Sequence, residues 1–462
     1  MATDAALHLP LGQESAGWVL GLLTTSILYL FLWPRSQIPR PPVVNQYWWD
    51  FFQAKAKRDF DSGAEDLIKL GLSKARTKNT ERGDDTGQSS LTTTVVFRVR
   101  NVNRDFTAYD TGYKVHLTQP FSEETKDFLQ REWTESPGPP DWHEIVVISR
   151  AFVGPNLCRD TRWLEIATTY ASHRMTAAVA VQKWGTVLQP IVHWFLPSCR
   201  RLRAHIQKAR ELIQPELDRI KDNPLENETF TSLAWVYDFA QGYIYDAGLA
   251  QLRLTAVANH TTSDMMTKVL IRICENPELI QPLRDEAIDA VRGGGLRVAA
   301  LQKMFLMESV MTESQRLEPF LLLSMFRYAT ETVVLPGGTT VPQGTLLTVA
   351  NPSRLDPSIY PEPEKFDGYR FVRMREDPEN AHLATFTKTN PTNLNFGHGK
   401  QACPGRFIAV NQVKIALCHV LLKYDVELVE ECPSQLIRSG LLTVRSPGAR
   451  IRVRRRQEEI SL

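Results

Sequence analysis

The chain has 462 residues, is 43% hydrophobic and 23% charged, and sets 54 Lys and Arg against 52 Asp and Glu. A formal net charge of +2 excludes nucleic acid as the main partner, and the apolar content suffices for one large core or two smaller ones. Six cysteines without paired spacing exclude the disulfide framework of a small secreted protein and fit reduced thiols in a cytosol-facing domain.

After a tail of residues 1–14, the stretch from Ser15 to Trp33 carries no charge. As a helix it reaches about 28 Å, close to the hydrocarbon thickness of a bilayer, so 15–33 is expected to be a single transmembrane anchor. It is long for a cleaved signal peptide, no basic segment precedes it, and no small-residue cleavage site follows. Asp4 and Glu14 lie before it while Arg35 and Arg40 lie after it, a bias that places the rest of the chain on the cytosolic side. Residues 34–42 hold Pro34, Pro39, Pro41 and Pro42 and form a stiff, extended spacer.

Residues 43–462 read as one domain without internal repeats or low-complexity tracts. The segment 73–104 is polar, turn-rich and weakly periodic, as in a loop with at most one strand. Helical periodicity dominates from Trp163 to Val291, in the stretches 163–184, 200–220 and 245–292. The β-branched runs of 331–350, on either side of Gly337 and Gly338, predict a hairpin. The expected fold class is mainly α with a minor β-sheet region.

The run "NFGHGKQACPGRF", residues 395–407, sets Cys403 among three glycines just before a segment with helical apolar spacing. Zinc demands three or four N/S ligands, and no Cys-x-x-Cys partner lies near. A nucleophilic thiol would need an activating group such as the neighbouring His398, and a buried packing cysteine is the commonplace alternative. Gly397, Gly399 and Gly405 let the backbone turn sharply and approach something flat, with amide N–H groups aimed at the sulfur. That arrangement suits a thiolate on a metal whose other positions belong to a planar macrocycle, as in a haem with an axial cysteine.

The stretch from Phe396 to Gly405 resembles the cysteine-ligand loop of the haem-thiolate monooxygenases, the cytochrome P450 family, with the spacing Phe-x-x-Gly-x-x-x-Cys-x-Gly. Three further motifs follow the family's order. "ESQR", Glu313 to Arg316, resembles Glu-x-x-Arg; "FDGYRF", with Arg370, resembles the segment that completes that triad; "VANHTTSD", Val257 to Asp264, resembles the oxygen-binding helix. The wording of "HWFLPSCRRLR" and "ACPGRF" is most similar to membrane-bound fungal enzymes of terpenoid and related secondary metabolism.

The resemblance implies the cytochrome P450 fold and a haem b (iron protoporphyrin IX) whose iron takes Cys403 as axial ligand, in a loop shaped by Phe396, Gly399 and Gly405. It implies a structural network of Glu313, Arg316 and Arg370, and a proton relay at Thr261. His260 stands where the family has Asp or Glu, and an imidazole can do that work. The commonplace fate of a mid-helix threonine, a bond to the preceding turn, is the competing reading for Thr261. Arg327 is a candidate partner for a haem propionate, since a guanidinium fork matches a carboxylate. Gln401 replaces the Arg or His usual in the cysteine loop. The family's Trp-x-x-x-Arg helix is not found, because no tryptophan occurs between Trp49 and Trp133. Lys114 is the candidate for that arginine's place, in a stretch, within about 75–118, that looks shortened by several tens of residues.

No nicotinamide or flavin fingerprint occurs, so electrons are expected from a separate NADPH-cytochrome reductase at the same membrane. The implied activity is insertion of one oxygen atom from O2 into a hydrophobic, terpenoid-like small molecule. The implied location is the endoplasmic reticulum membrane, single-pass, with the catalytic domain facing the cytosol. A haem-binding but catalytically impaired relative and a thiol enzyme without haem are the alternatives.

Overall fold

Asp160 opens the first long helix: its carboxylate accepts the N–H of Arg162, satisfying a donor that no preceding carbonyl can reach. The computed structural model describes residues 148–460 apart from 186–187, 223–230, 241–243, 293–294, 336–337, 430–434, 440 and 447. The expected anchor, spacer, shortened segment and Lys114 lie outside the described residues. Among those described, no helix is long and apolar enough to cross a membrane.

Helices α1 (Thr161–Gln182), α2 (Gln189–Val192), α3 (Pro197–Asp222), α4 (Ser232–Ala240) and α5 (Ala247–Glu275) come first, and fill the stretches where apolar spacing predicts helix. Asp246 caps α5, accepting the Leu249 N–H at 3.0 Å, and its carboxylate also takes the Arg210 guanidinium of α3 at 2.7 Å. Gly248 lets α3 and α5 touch there: a Cβ would stand 2.8 Å from the Arg210 Cα, so any side chain would push the two helices apart. After α5 come α6 (Ile280–Val291), α7 (Val298–Leu301), α8 (Phe305–Leu317), α9 (Arg370–Glu376) and α10 (Arg406–Lys423).

Helix α5 is shared by two apolar cores. Its first half packs through Leu252 and Ala256 with Trp163 and Ile166 of α1, Ile213 and Leu217 of α3, and Leu233 of α4. Its second half packs through Val269 and Ile273 with Leu283 of α6, Met307 and Val310 of α8, and Leu417 and Leu421 of α10. Each such Val, Leu, Ile or Met side chain, fully buried, contributes about 1.5–3 kcal/mol. The long helix thereby fixes two halves of the fold relative to one another.

Among the described residues the sheets are small, four antiparallel two-stranded ladders. Strand β1 (Leu323–Tyr328) pairs with β4 (Leu346–Ala350), with a register break between Ser324 and Arg327. The hairpin expected around Gly337 and Gly338 forms from β2 (Val333–Val334) and β3 (Thr340–Val341), with Gly338 at φ +79°. It is shorter than its β-branched run, because the rest of that run, β4, pairs with β1. Strands β5 (Tyr424–Leu428) and β8 (Ile451–Arg455) form the third ladder, β6 (Leu436–Ser439) and β7 (Leu442–Arg445) the fourth. The described fold is mainly helical with small sheets, as the residue pattern predicts.

Candidate active site

The cysteine loop is a sequence of tight turns. Gly397 and Gly399 take φ of +71° and +74°, values that side chains other than glycine's rarely adopt. Gly405, at φ −78°, sits in ordinary backbone; a Cβ there would lie 4.0 Å from the Cys403 sulfur, so nothing in its conformation demands glycine. The Cys403 N–H donates to the Phe396 carbonyl at 2.7 Å, closing the loop on itself. The Phe396 ring meets Phe386 edge-on, 5.2 Å between centres, which seats the loop on the second core.

Cys403 stands three residues before Arg406, where α10 begins. Burial pushes its thiol above the usual cysteine range; the N–H groups of Gly405 and Arg406 and the Arg406 charge pull the other way. A catalytic nucleophile needs the reverse, a thiol lowered toward neutrality. The donor set instead fits a sulfur anion held by a cation: backbone N–H groups at a helix start, one guanidinium, and a half-buried position. Arg406 was not among the residues expected from the sequence, though it directly follows the loop motif. Its guanidinium donates to the Cys403 carbonyl at 2.6 Å and the Thr387 carbonyl at 2.8 Å, and lies 4.3 Å from the centre of the Phe407 ring. Among the described residues no group of three or more His, Cys, Asp or Glu could hold a metal ion.

The structure brings Glu313, Arg316 and Arg370 together. Both oxygens of Glu313 accept from Arg316, each at 2.7 Å, and one also accepts from Arg370 at 3.0 Å. The remaining guanidinium donors go to carbonyls: Arg316 to Arg354 and Pro363, Arg370 to Pro361, Glu362 and Lys365. This triad ties α8 to the start of α9 and to the turns of 354–365 that precede it. Asn395, at the entrance to the cysteine loop, donates to the Gln315 carbonyl at 3.4 Å, one residue from Arg316. A second buried ion pair, not anticipated from the sequence, joins Glu308 of α8 to Lys414 of α10 at 2.7 Å. The two residues are far apart in the chain, and no local spacing announces them.

On α5, Thr261 is exposed and its hydroxyl donates to the Val257 carbonyl at 2.8 Å, the commonplace bond of a mid-helix threonine. Thr262 is buried and makes the same bond to Ala258 at 2.7 Å. The Nε2 of His260 is buried without a hydrogen-bond partner, and burial holds the imidazole below its ordinary range, favouring the neutral form. Arg327, on β1, donates to the adjacent Phe326 carbonyl at 2.8 Å. The Gln401 side chain is exposed at the loop surface.

The family model described as Cytochrome P450 matches residues 171–452, more than half of the chain and all the motifs above. The chain is similar to the cytochrome P450 monooxygenase notH of an Aspergillus species, 78% identical over 504 positions covering 100% of both chains. That alignment exceeds the 462 residues present here, so the relative carries a few tens of residues with no counterpart in this chain. It is 42% identical to the cytochrome P450 monooxygenase roqO of Penicillium rubens, over 99% of this chain and 100% of the relative. It is 43% identical to the fumitremorgin C monooxygenase of Neosartorya fischeri, over 90% and 91% of the two chains. These matches agree with the loop, the triad and the mainly helical fold: the chain belongs to the cytochrome P450 family and is an oxidoreductase of its monooxygenase type, using molecular oxygen.

Proposed function

We propose that this protein is a membrane-anchored haem-thiolate monooxygenase of fungal secondary metabolism that inserts one oxygen atom of O2 into a hydrophobic small molecule. The observation that carries the reading is Cys403, a half-buried sulfur at the start of α10 that receives backbone N–H groups. When bound, haem b would supply dioxygen activation, which a thiolate ligand favours.

The chain's own residues do the rest. Cys403 would hold the iron, and the turns at Gly397 and Gly399 with the Phe396–Phe386 contact fix where its sulfur stands. The Gly405 and Arg406 N–H groups temper the charge of that sulfur. Glu313, Arg316 and Arg370 hold the turns before the loop in place. With haem bound, the Thr261 hydroxyl would hand on protons for the oxygen chemistry, and His260, neutral at rest, would relay them by taking up one proton from solvent for each it gives. Arg327 and Lys114 serve the haem propionates.

Electrons come from a separate NADPH-cytochrome reductase, a reading supported by the lack of any nucleotide fingerprint in the sequence. The uncharged stretch 15–33 supports a single anchor in the endoplasmic reticulum membrane; deleting residues 1–34 should release the chain from carbonate-washed membranes. For the substrate, a terpenoid and fumitremorgin C are the compounds to try first, the latter because relatives 42–43% identical are named for it. The test is incubation with reductase, NADPH and each compound under labelled dioxygen. One labelled oxygen in a product that needs all components supports the proposal. A haem-loaded protein that consumes NADPH without product favours the second reading, an impaired relative, which the missing few tens of residues motivate.

A further inference from the structure

Beyond Thr261, helix α5 carries four ionised side chains in one stripe: Asp264, Lys268, Arg272 and Glu275. Lys268 is only 2% exposed. Its ammonium donates to the Asp264 carboxylate at 2.6 Å and to the Thr443 carbonyl of β7 at 2.7 Å, and stands 6.0 Å from the centre of the Phe320 ring. Burial pushes Lys268 down and Asp264 up, each partly held back by the other.

Thr443 is gripped on its other edges too. Its N–H donates to the Phe320 carbonyl at 3.2 Å, and its hydroxyl donates to the Pro319 carbonyl. Two residues on, Arg445 reaches Glu275 at 3.0 Å and Glu318 at 2.7 Å, and Arg272 bridges the same two carboxylates. Strand β7 therefore runs parallel to α5, with Arg445 beside Glu275 and Thr443 beside Lys268, seven residues nearer the helix N-terminus. At ~3.3 Å per strand residue and ~1.5 Å per helical residue, the hairpin tip at Leu441 comes level with Asp264, one turn from Thr261. That tip is apolar: Leu441 packs with Leu322 and Phe326 against Leu323 and Ala350, and its carbonyl accepts the Leu322 N–H at 2.9 Å.

We propose that Lys268 is a positioning residue: by bonding Asp264 and Thr443 together it fixes the Leu441 hairpin tip as one wall of the substrate chamber facing Thr261. The inference rests on the reading of Cys403 as the haem ligand. A buried ammonium costs several kcal/mol to desolvate, and a methionine of similar length would fill the same space without that cost. The backbone bonds of Thr443 and Leu441 already attach the hairpin to the chain before β1. What the ammonium adds is a fixed spacing between the hairpin and α5, the helix that carries Thr261.

The experiment compares the full-length haem protein with Lys268→Met and Lys268→Arg, using two imidazole probes that bind haem iron: imidazole itself and the bulky, apolar clotrimazole. Lys268→Met should weaken clotrimazole by about tenfold or more while leaving imidazole within about twofold, and Lys268→Arg, which keeps a charge and donors, should restore clotrimazole. Amide hydrogen exchange at Leu441–Arg445 should quicken in the methionine variant alone, a readout that needs no haem. Unchanged clotrimazole affinity, or equal weakening of both probes, would overturn the proposal, since the second means general damage. If neither probe gives a nitrogen-ligand spectrum even with the parent chain, the haem reading fails, and the exchange data still decide: unaltered exchange at Leu441–Arg445 overturns the positioning role.

Discussion

The Glu313 carboxylate and the Arg316 guanidinium meet as two forks, both N···O distances 2.7 Å, one helical turn apart and almost wholly out of water. An exposed pair at this spacing is worth a few tenths of a kcal/mol, but burial changes its meaning. Arg370 reaches the same carboxylate at 3.0 Å, so one anion serves two cations.

Glu313→Gln should therefore strand two buried guanidinium groups and cost about 3–5 kcal/mol of stability. Thermal unfolding should show a lower midpoint, and purified protein should retain less haem. A variant as stable as the parent would mean that the carbonyl acceptors alone suffice for both arginines.

Acid should weaken the fold through His419 on α10. Burial, and secondarily the Lys423 charge, hold its pKa at about 4 against an ordinary value of 6.5. Between those values the unfolded chain binds a proton that the folded chain refuses, so stability falls as pH drops through this window. The loss reaches about 3 kcal/mol near pH 4 and is absent above about pH 7. Denaturant midpoints between pH 7 and 4.5 should drop less for His419→Met than for the parent. Parallel slopes in the two would remove His419 as the cause.

Thr261→Ala should leave ligand binding intact and lower the ratio of product to NADPH consumed, reduced oxygen escaping as peroxide. The bond from Thr261 to the Val257 carbonyl engages the hydroxyl proton and leaves the oxygen's lone pairs free to accept. An unchanged ratio would reduce that side chain to a helix-backbone contact.

What the sequence revealed and what it hid divide along physical lines. Helices α1, α3 and α5 were readable because their apolar residues recur at the helical period over many turns, and the Cys403 loop because its glycines and cysteine lie within ten residues of each other. The hairpin of β6 and β7 was not: its strands are four residues each, and the partners that hold β7, Lys268 and Pro319, lie far away in the chain. The Glu308–Lys414 pair was hidden for the same reason. Arg406 was in plain view beside the motif but carries its meaning only through the Cys403 carbonyl it touches.

Haem retention by the chain as it stands should be poor. Gln401 offers no charge to a propionate, and the few tens of residues that the Aspergillus relative carries in addition are expected within about 75–118, where the other propionate's arginine would lie. Each lost charge-assisted bond is worth roughly 1.5–3 kcal/mol, so two losses weaken haem binding by about two to four orders of magnitude. A version carrying the relative's extra segment should purify with near-stoichiometric haem beside a depleted parent. Equal haem in both would show the short form to be complete in itself.

The central claim is that Cys403 binds haem iron through its sulfur, and the spectrum of the dithionite-reduced, carbon-monoxide-bound protein tests it most directly. Any haem retained by the parent should give the red-shifted Soret band of thiolate ligation. Cys403→Ser should abolish that band, because a serine hydroxyl stays protonated and donates weakly. Cys274→Ala should leave it intact, since that sulfur packs against the second core, away from the loop. A thiolate-type band that survives in Cys403→Ser, or a parent protein loaded with haem that never shows one, would contradict the account.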